Sequence, residues 1–394
     1  MTSRRSLLLV IALVVLCGVL GLVAVGCGGE EVATTTSTAA PATETTAAET
    51  TTTALETSTT AAETTTTAAA IQNKIKKVAV ITPEVANDYG WNQMNAEAAK
   101  KLGEYLGVEV VVKDGSGYSD VEPILNQLID EEGCDFIIGS AAGYNTIGPV
   151  VAQKKNIAFV AMNGFEASLV PGFAIDLETY AKDGGYLAGV LAAKMTKSKT
   201  IGMVISADDQ NWNQMCAALA QGARVTDPSV KLLLAQVGPA AYADAAGAKR
   251  TAEGLIANGA DIIFGCGDGA SFGYMQACET ATPPAGADKV WFIDVIGDKT
   301  SIDEKGVLLS SVLWDYSPVL IEAANIWNTD SSQFGTKISY VEVANEGIYM
   351  LKTEHIPADV WSAVEEARAG IASGAIDVPL VVTKDELDKV VAGQ

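Results

Sequence analysis

The chain has 394 residues, a length that suits two domains plus tails better than one ordinary core. It carries 26 basic and 48 acidic residues and a net charge of −22, which argues against any nucleic-acid partner because the chain would repel a phosphate backbone. A single histidine, His355, excludes His-rich metal sites and leaves little room for a Ser-His-Asp hydrolase.

The first 26 residues have the form of an export signal, because Arg4 and Arg5 precede an apolar run over 7–25. The run ends in Ala-Val-Gly-Cys at 24–27, which resembles the bacterial lipobox. That resemblance implies cleavage before Cys27 and lipidation of its sulfur, with two acyl chains as a stable membrane anchor. An uncleaved transmembrane anchor is the alternative, since about 19 apolar residues can just span a bilayer. Either way, the rest of the chain faces outward from the cell membrane.

Residues 27–73 comprise the lipidated cysteine and a tract rich in Thr, Ala, Ser and Glu. Such a tract cannot bury enough apolar surface to offset the entropy of ordering it. The sequence therefore predicts a disordered tether between the membrane and the folded part of the chain.

Four cysteines remain beyond the tether: Cys134, Cys216, Cys266 and Cys278. None of them forms a Cys-x-x-Cys pair, and three lie in apolar stretches. We expect small buried thiols, and the spacing leaves a Cys266–Cys278 disulfide open as the alternative.

From Lys77 onward, short β-rich runs alternate with helical stretches, which is typical of parallel sheets covered by helices. The first half predicts strands over 78–82, 108–113, 136–139 and 157–162, and helices over 91–106, 121–132 and 146–155. A helix over 179–197 leads to a second set, with strands over 201–205, 231–237, 262–266 and 290–294 and helices over 212–225, 243–258 and 272–280. Two further strand-like runs, 308–312 and 348–351, are interpreted as additional crossings in a hinge.

This repeated pattern predicts an α/β fold of two doubly wound lobes joined by a hinge of several segments. Lobe 1 spans 74–180, lobe 2 spans 181–312, and 313–394 holds the crossings and a C-terminal segment that returns to lobe 1. Ligands of such sheets bind beyond the carboxyl ends of the strands. Two lobes facing each other would therefore hold one ligand in the cleft between them.

Several local motifs resemble those of the basic-membrane-protein family, lipoproteins similar to the purine nucleoside receptors of spirochaetes. They are NDYGWNQ at 87–93, DFIIG at 135–139 with the following Gly-Tyr loop at 143–144, GYLAG at 185–189, VWFID at 290–294 and SSV at 310–312. The resemblance covers about 77–382. It implies a type I periplasmic-binding-protein fold and a solute-binding role beside an ABC permease, with no enzymatic activity and no cofactor or metal.

The chain departs from this family where a purine would be bound. The stacking Phe of the nucleoside receptors is Trp91, and the acidic residue expected near the Tyr144 loop is Asn145 or Thr146. The lysine expected after the Ser-Val crossing is replaced, with Trp314 nearby. Recognition of a purine by a carboxylate is therefore in doubt, whereas an aromatic pocket lined by amides is expected, with Tyr144 and Trp314 among its candidate ligand-binding residues.

Trp91 and Trp212 are the leading candidates for contact with a ligand. Each follows the first strand of its half at a similar distance, and each begins the same four residues, Trp-Asn-Gln-Met. The two rings would lie on opposite lips of the cleft and enclose a planar ligand, which aromatic stacking favours. The alternative is that each Trp packs on its own sheet.

Polar candidates follow strand ends or begin helices. Amide groups match the edge of a heterocycle without a buried charge, although Asn also caps helices and forms turns. The family resemblance implies that Asp294 accepts hydrogen bonds from ligand hydroxyls. The amide candidates are Asn87, Asn92, Asn145 and Asn163.

The glycines of 265–269 lack the spacing of a phosphate-binding loop, and Asp208, Asp209 and Asp298 lack that of a calcium loop. The sequence predicts a receptor that binds a small neutral heterocycle, with purine bases and nucleosides as the leading class. A sugar or polyol receptor of the same fold is the first alternative. A surface hydrolase or dehydrogenase is the second, although no nucleophile–base pair or cofactor motif is found.

Overall fold

The computed structural model of the chain describes residues 73–164 and 166–394. The expected signal, the lipidated Cys27 and nearly all of the tether lie outside these residues. The strands are β1 (Lys77–Ile81), β2 (Glu109–Lys113), β3 (Phe136–Gly139), β4 (Ala158–Met162), β5 (Ala174–Thr179), β6 (Thr200–Ile205), β7 (Lys231–Gln236), β8 (Ile262–Cys266), β9 (Trp291–Ile296), β10 (Leu308–Trp314), β11 (Ser339–Val341) and β12 (Ile348–Met350).

Helices cover the sheets formed by these strands. They are α1 (Trp91–Leu106), α2 (Glu122–Asp130), α3 (Gly148–Lys155), α4 (Ala181–Met195), α5 (Gln210–Thr226), α6 (Ala245–Ala257), α7 (Ser271–Thr280), α8 (Ser317–Asp330), α9 (Ala358–Ala372) and α10 (Lys384–Val391). In the described part of the chain, no helix is both long and apolar enough to cross a bilayer.

The strands form two six-stranded sheets of the same design. The first has the order β11-β5-β4-β3-β1-β2 and the second the order β12-β10-β9-β8-β6-β7. All recorded strand pairs are parallel except β10 with β12. The central strands β3, β4, β6 and β8 are buried along their whole length, as expected for sheets covered on both faces. The prediction of two doubly wound α/β lobes is confirmed.

The chain passes between the lobes three times: from β5 to α4, from β10 to α8, and from β11 to β12. The runs 308–312 and 348–351 are strands of the second sheet that adjoin two of these crossings. The interpretation of these two runs as crossings is therefore wrong, and the three connections link the lobes instead.

The segment after residue 313 does not simply return to lobe 1. Helix α8 packs on α1 and β11 joins the first sheet, but β12 joins the second sheet, α9 packs on α4 and α10 packs on α5. The expected return is therefore wrong for the last helices. Their buried residues explain it: Leu387 is fully buried, and Arg224 of α5 donates hydrogen bonds to the carbonyls of Val390 and Val391.

Helices α4 and α5 approach each other so closely that their backbones touch. A Cβ atom on Gly185 would lie 2.3 Å from the Met215 carbonyl oxygen, and one on Gly189 would lie 2.3 Å from that of Leu219. The GYLAG motif thus has a packing role, because only glycine leaves room for the neighbouring helix.

The four cysteines in the described part of the chain are buried and free. The Sγ atom nearest to Cys266 is that of Cys216, at 3.9 Å, whereas the Cys278 thiol faces the Trp291 carbonyl. The expectation of buried thiols is confirmed, and the alternative Cys266–Cys278 disulfide is not formed.

Candidate ligand-binding site

A cavity of about 350 Å³ lies between the carboxyl ends of the two sheets, within the range of sites for small molecules. Both lobes contribute to it in equal measure. Lobe 1 lines it with Pro83, Trp91, Tyr118, Ser140, Ala141, Ala142, Met162 and Asn163. Lobe 2 and its exit strand line it with Asp209, Gln210, Asn211, Trp212, Tyr242, Asp268, Ile296 and Trp314.

Three tryptophans predicted from the sequence line this cavity together. Trp91, the first residue of α1, donates a hydrogen bond from Nε1 to the Ser140 carbonyl at 2.6 Å. Its ring meets Trp314 edge to face at 6.2 Å between centroids, and Trp314 lies 6.1 Å from Trp212 at an angle of 31°. Trp91 and Trp212 are therefore not parallel. They form a corner rather than the expected sandwich, with Trp314 joining them.

Trp212 and Trp314 are almost fully buried, and their indole nitrogens have no hydrogen-bond partner among residues 73–164 and 166–394. An unpaired buried N–H group costs free energy. Both nitrogens are covered by protein atoms in this arrangement, so these two indoles give the wall its apolar character.

Among the amide candidates, Asn163 alone lines the cavity. It follows β4 in a left-handed backbone conformation (φ 52°), and its Oδ1 accepts a hydrogen bond from the Thr179 backbone N–H. Ile296, at the end of β9, also lines the cavity and has φ 70°, which is rare for a β-branched residue. Strained backbone of this kind concentrates at functional sites.

The other three asparagines serve the fold or the surface. Asn92 is buried, accepts a hydrogen bond from the Glu84 backbone and donates one to Asp88 Oδ2 at 2.7 Å. Asn145 donates to the Met162 carbonyl behind the cavity wall. Asn87 is exposed beside a separate surface depression. None of the three lines the cavity, because local turns use their amide groups or direct them elsewhere.

Tyr144 and Asp294 are also withdrawn from the cavity. Tyr144 is fully buried under the first sheet, where its hydroxyl donates to the Gly117 carbonyl. Asp294 is fully buried and forms an ion pair with Lys299 and a hydrogen bond from Ser271. Burial raises the pKa of Asp294 and the Lys299 ammonium opposes that rise. Asp294 does not line the cavity and its oxygens already have partners, and its expected contact with a ligand stays a prediction.

Two carboxylates that the sequence analysis did not select line the cavity. Asp209 caps α5 and accepts hydrogen bonds from the Asn211 backbone N–H at 2.8 Å and the Tyr242 hydroxyl at 3.0 Å. Asp268 follows β8, and its Oδ1 lies 3.4 Å from the Trp91 backbone nitrogen. Burial raises the pKa of Asp268 to about 8, with a further contribution from Asp88. Asp268 lies two residues and Asp209 four residues beyond the end of a parallel strand, and that position was the available signal.

The lobes touch beside the cavity through the turn that precedes α1. Lys299 donates a hydrogen bond to the Tyr89 carbonyl at 2.8 Å, and Tyr89 meets Phe272 edge to face at 6.4 Å between centroids. Tyr89 holds a left-handed conformation (φ 50°). A Cβ atom on Gly297 would lie 2.1 Å from the Tyr89 oxygen. These contacts close one side of the cavity.

Comparison with known proteins places this site in a family. Residues 75–369 match the model of the Bmp family, described as ABC transporter substrate-binding protein PnrA-like. Residues 4–92 also match a model named New glue protein family. The chain is 24% identical over 327 residues to "ABC transporter nucleoside-binding protein BmpA" of Lactococcus lactis, covering 78% of this chain and 90% of that protein.

Solved structures share the fold. A solute-binding protein of an ABC transporter system from Conexibacter woesei has a TM-score of 0.64 and 22% identity, covering 77% of this chain and 99% of that one. An ABC transporter solute-binding protein from Aeropyrum pernix has a TM-score of 0.66 and 17% identity, covering 81% and 98%. Since the family model spans most of the folded chain, the protein belongs to the Bmp family of PnrA-like ABC transporter substrate-binding proteins.

Proposed function

We propose that this solute-binding protein captures a purine base or nucleoside outside the cytoplasm and delivers it to an ABC permease. The observation that carries the proposal is the corner of three indoles that lines the cavity between the lobes. Aromatic contacts with a base contribute roughly 1–3 kcal/mol per ring. The printed name of the Lactococcus lactis relative, a nucleoside-binding protein, supports the same ligand class.

The polar groups of the cavity suit the edge of a nucleobase. Asn163 and Asn211 bring amide groups, and Asp209 and Asp268 bring carboxyls. The role requires binding and release, with no bond made or broken. Two lobes that meet around the ligand and are joined by three crossings suit such a cycle of closure and opening.

We also propose that the receptor is held at the outer face of the membrane by lipid on Cys27. The basic start, the apolar run and the lipobox-like residues before Cys27 support this anchor. The Thr-rich tract that follows would serve as the tether that lets the lobes reach a permease.

Isothermal calorimetry tests the ligand class. Titration of the protein with adenine, adenosine, guanosine, inosine and a set of sugars is expected to show saturable binding for purines. Trp91→Ala is expected to weaken that binding at least tenfold, because a ring contact worth roughly 1–3 kcal/mol is lost. Trp361→Ala is the control, since Trp361 is a partly buried residue of α9 that does not line the cavity.

Binding of sugars but no purines would overturn the proposed class, as would a Trp91→Ala variant with unaltered purine affinity. Trp91 also bonds Ser140 and packs on Tyr316, so the variant is expected to melt at a lower temperature. Calorimetry is therefore performed well below that transition, where both variants are folded.

A further inference from the structure

We propose that the ligand is a cationic nitrogen heterocycle, a nucleobase or nucleoside that carries a positive charge, and that Asp268 is its counter-ion. The inference rests on the proposed function and narrows its ligand class. Two observations carry it: the cavity is lined by carboxyls and by no cationic side chain, and aromatic rings surround it.

The ionisable side chains of the lining can supply negative charge only. Asp209 and Asp268 are its carboxyls, and none of its side chains is a Lys, Arg or His. A cation bound beside such a carboxyl favours its ionised form and gains a counter-ion, whereas an anion such as a nucleotide meets no group of opposite charge. The net charge of the whole chain, −22, also favours the approach of cations.

Aromatic rings provide the second, independent observation. Three indoles and the rings of Tyr118 and Tyr242 line a cavity of about 350 Å³. The face of an aromatic ring attracts a cation within about 6 Å of its centre, and Trp is the most effective of the side chains. A neutral base gains from stacking on these rings, whereas a charged base gains from both stacking and the ring quadrupole.

Asp268 has a free oxygen for such a ligand. Its Oδ1 lies near the Trp91 backbone N–H, and in the part of the chain that the structure describes Oδ2 accepts no hydrogen bond. Asp209 is less available to a ligand, because it already accepts hydrogen bonds from the Asn211 backbone N–H at the start of α5 and from the Tyr242 hydroxyl. Lys299 cannot neutralise Asp268 fully, since it is bonded to Asp294 and the Tyr89 carbonyl.

The surroundings of Asp268 set the pH response. The titratable groups that face it are Asp88, Asp209, Lys299, Tyr118, Tyr242 and Tyr274. Burial and Asp88 raise its pKa to about 8, so below that pH the ligand-free carboxyl holds a proton. A cation must displace this proton to bind. Its affinity therefore falls as the pH is lowered, whereas that of a neutral ligand stays level.

Calorimetry of the full chain with three matched nucleosides tests the proposal. At pH 7, 1-methyladenosine is a cation, 1-methylinosine is neutral with the same methyl group, and adenosine is neutral without it. We expect 1-methyladenosine to bind at least tenfold more tightly than 1-methylinosine. Between pH 6 and 7.5, both below the pKa of about 8, its affinity is expected to rise about twentyfold, close to tenfold per pH unit.

Asp268→Asn keeps the shape of the side chain and removes the charge, so the preference for the cation is expected to fall below threefold and lose its pH dependence. Asp288→Asn is the control, because Asp288 is exposed and precedes β9 at the edge of the sheet away from the cavity. It removes the same charge and is expected to preserve the preference.

Equal binding of the three nucleosides, or a preference that persists in Asp268→Asn, would overturn the proposal of a charged ligand. Neither result would contradict the proposed function as a purine receptor. Absence of binding by all three, with sugars bound instead, overturns the proposed function and this inference together. The two failures are therefore distinguished by whether adenosine binds.

Discussion

Asp268 illustrates how a binding site can cost stability at the scale of one residue. Its folded pKa of about 8 lies far above that of an exposed Asp, because burial disfavours the ionised form. Above pH 8 this carboxyl is ionised, and the whole cost of burying its charge then destabilises the folded state. The cost shrinks as the pH falls towards the pKa of the unfolded chain, about 3.9, because the folded state then binds the proton.

Asp268→Asn is therefore expected to raise the melting temperature of the ligand-free protein by several degrees at pH 9 and by much less at pH 5. Thermal unfolding at a series of pH values measures this, with Asp288→Asn as the variant that matches the change of charge. A melting temperature that is unchanged at pH 9 would show that the buried carboxylate is not costly.

More of the predicted aromatic residues than of the predicted polar residues line the cavity. Trp91, Trp212 and Trp314 line it, because α1 and α5 begin, and β10 ends, at the carboxyl edges of the sheets. Asn92 and Asp294 do not line it, because their partners Asp88 and Lys299 lie on neighbouring loops that a single strand pattern does not reveal. Asp268 was not selected, because its burial depends on the Trp91 backbone of the opposite lobe, which a local pattern does not show.

At the scale of elements, glycines allow the backbones of α4 and α5 to pack in direct contact. The expected cost of Gly189→Ala is about 1–3 kcal/mol, because the added methyl group would overlap the Leu219 carbonyl and force the helices apart. Chemical denaturation measures the change in the free energy of unfolding.

Gly254→Ala in α6 is the matched control. No atom lies within 4 Å of the added Cβ, so this substitution is expected to be neutral or to stabilise the protein by up to about 1 kcal/mol. An equal effect of the two substitutions would contradict the packing role of Gly189.

Strand β5 shows why some elements were not predicted. It is buried along its length although it contains Asp176 and Glu178, which are untypical of a buried strand. Asp176 accepts a hydrogen bond from the Gly164 N–H, and burial raises its pKa to about 6. The segment forms a strand because it pairs with β4 and β11, and a local sequence pattern does not show that pairing.

At the scale of the whole molecule, repetition in the sequence made the architecture predictable. Two sets of alternating strands and helices predicted two lobes, and each set folds with the same strand order. The destination of the last helices was not predictable in the same way. It depends on which lobe offers α9 and α10 an apolar face, and α4 and α5 of lobe 2 provide it.

The contact between Tyr89 and Phe272 provides a test of lobe closure. Phe272 is 37% exposed and lies at the start of α7, so its removal should leave both lobes folded. An aromatic pair contributes about 0.5–1.5 kcal/mol beyond its buried area. If the pair forms only when the lobes are closed, Phe272→Ala should weaken ligand binding about threefold to tenfold, since about 1.4 kcal/mol corresponds to one factor of ten.

Small-angle X-ray scattering completes this test, because an opened pair of lobes has a larger radius of gyration. We expect ligand-free Phe272→Ala to be more expanded than the unaltered protein and to contract when ligand is added. Val150→Ala is the control, since Val150 is 58% exposed on α3 and away from the cavity lining. Unchanged affinity and unchanged radius in Phe272→Ala would mean that the lobes stay together through the hinge and the Lys299–Tyr89 bond alone.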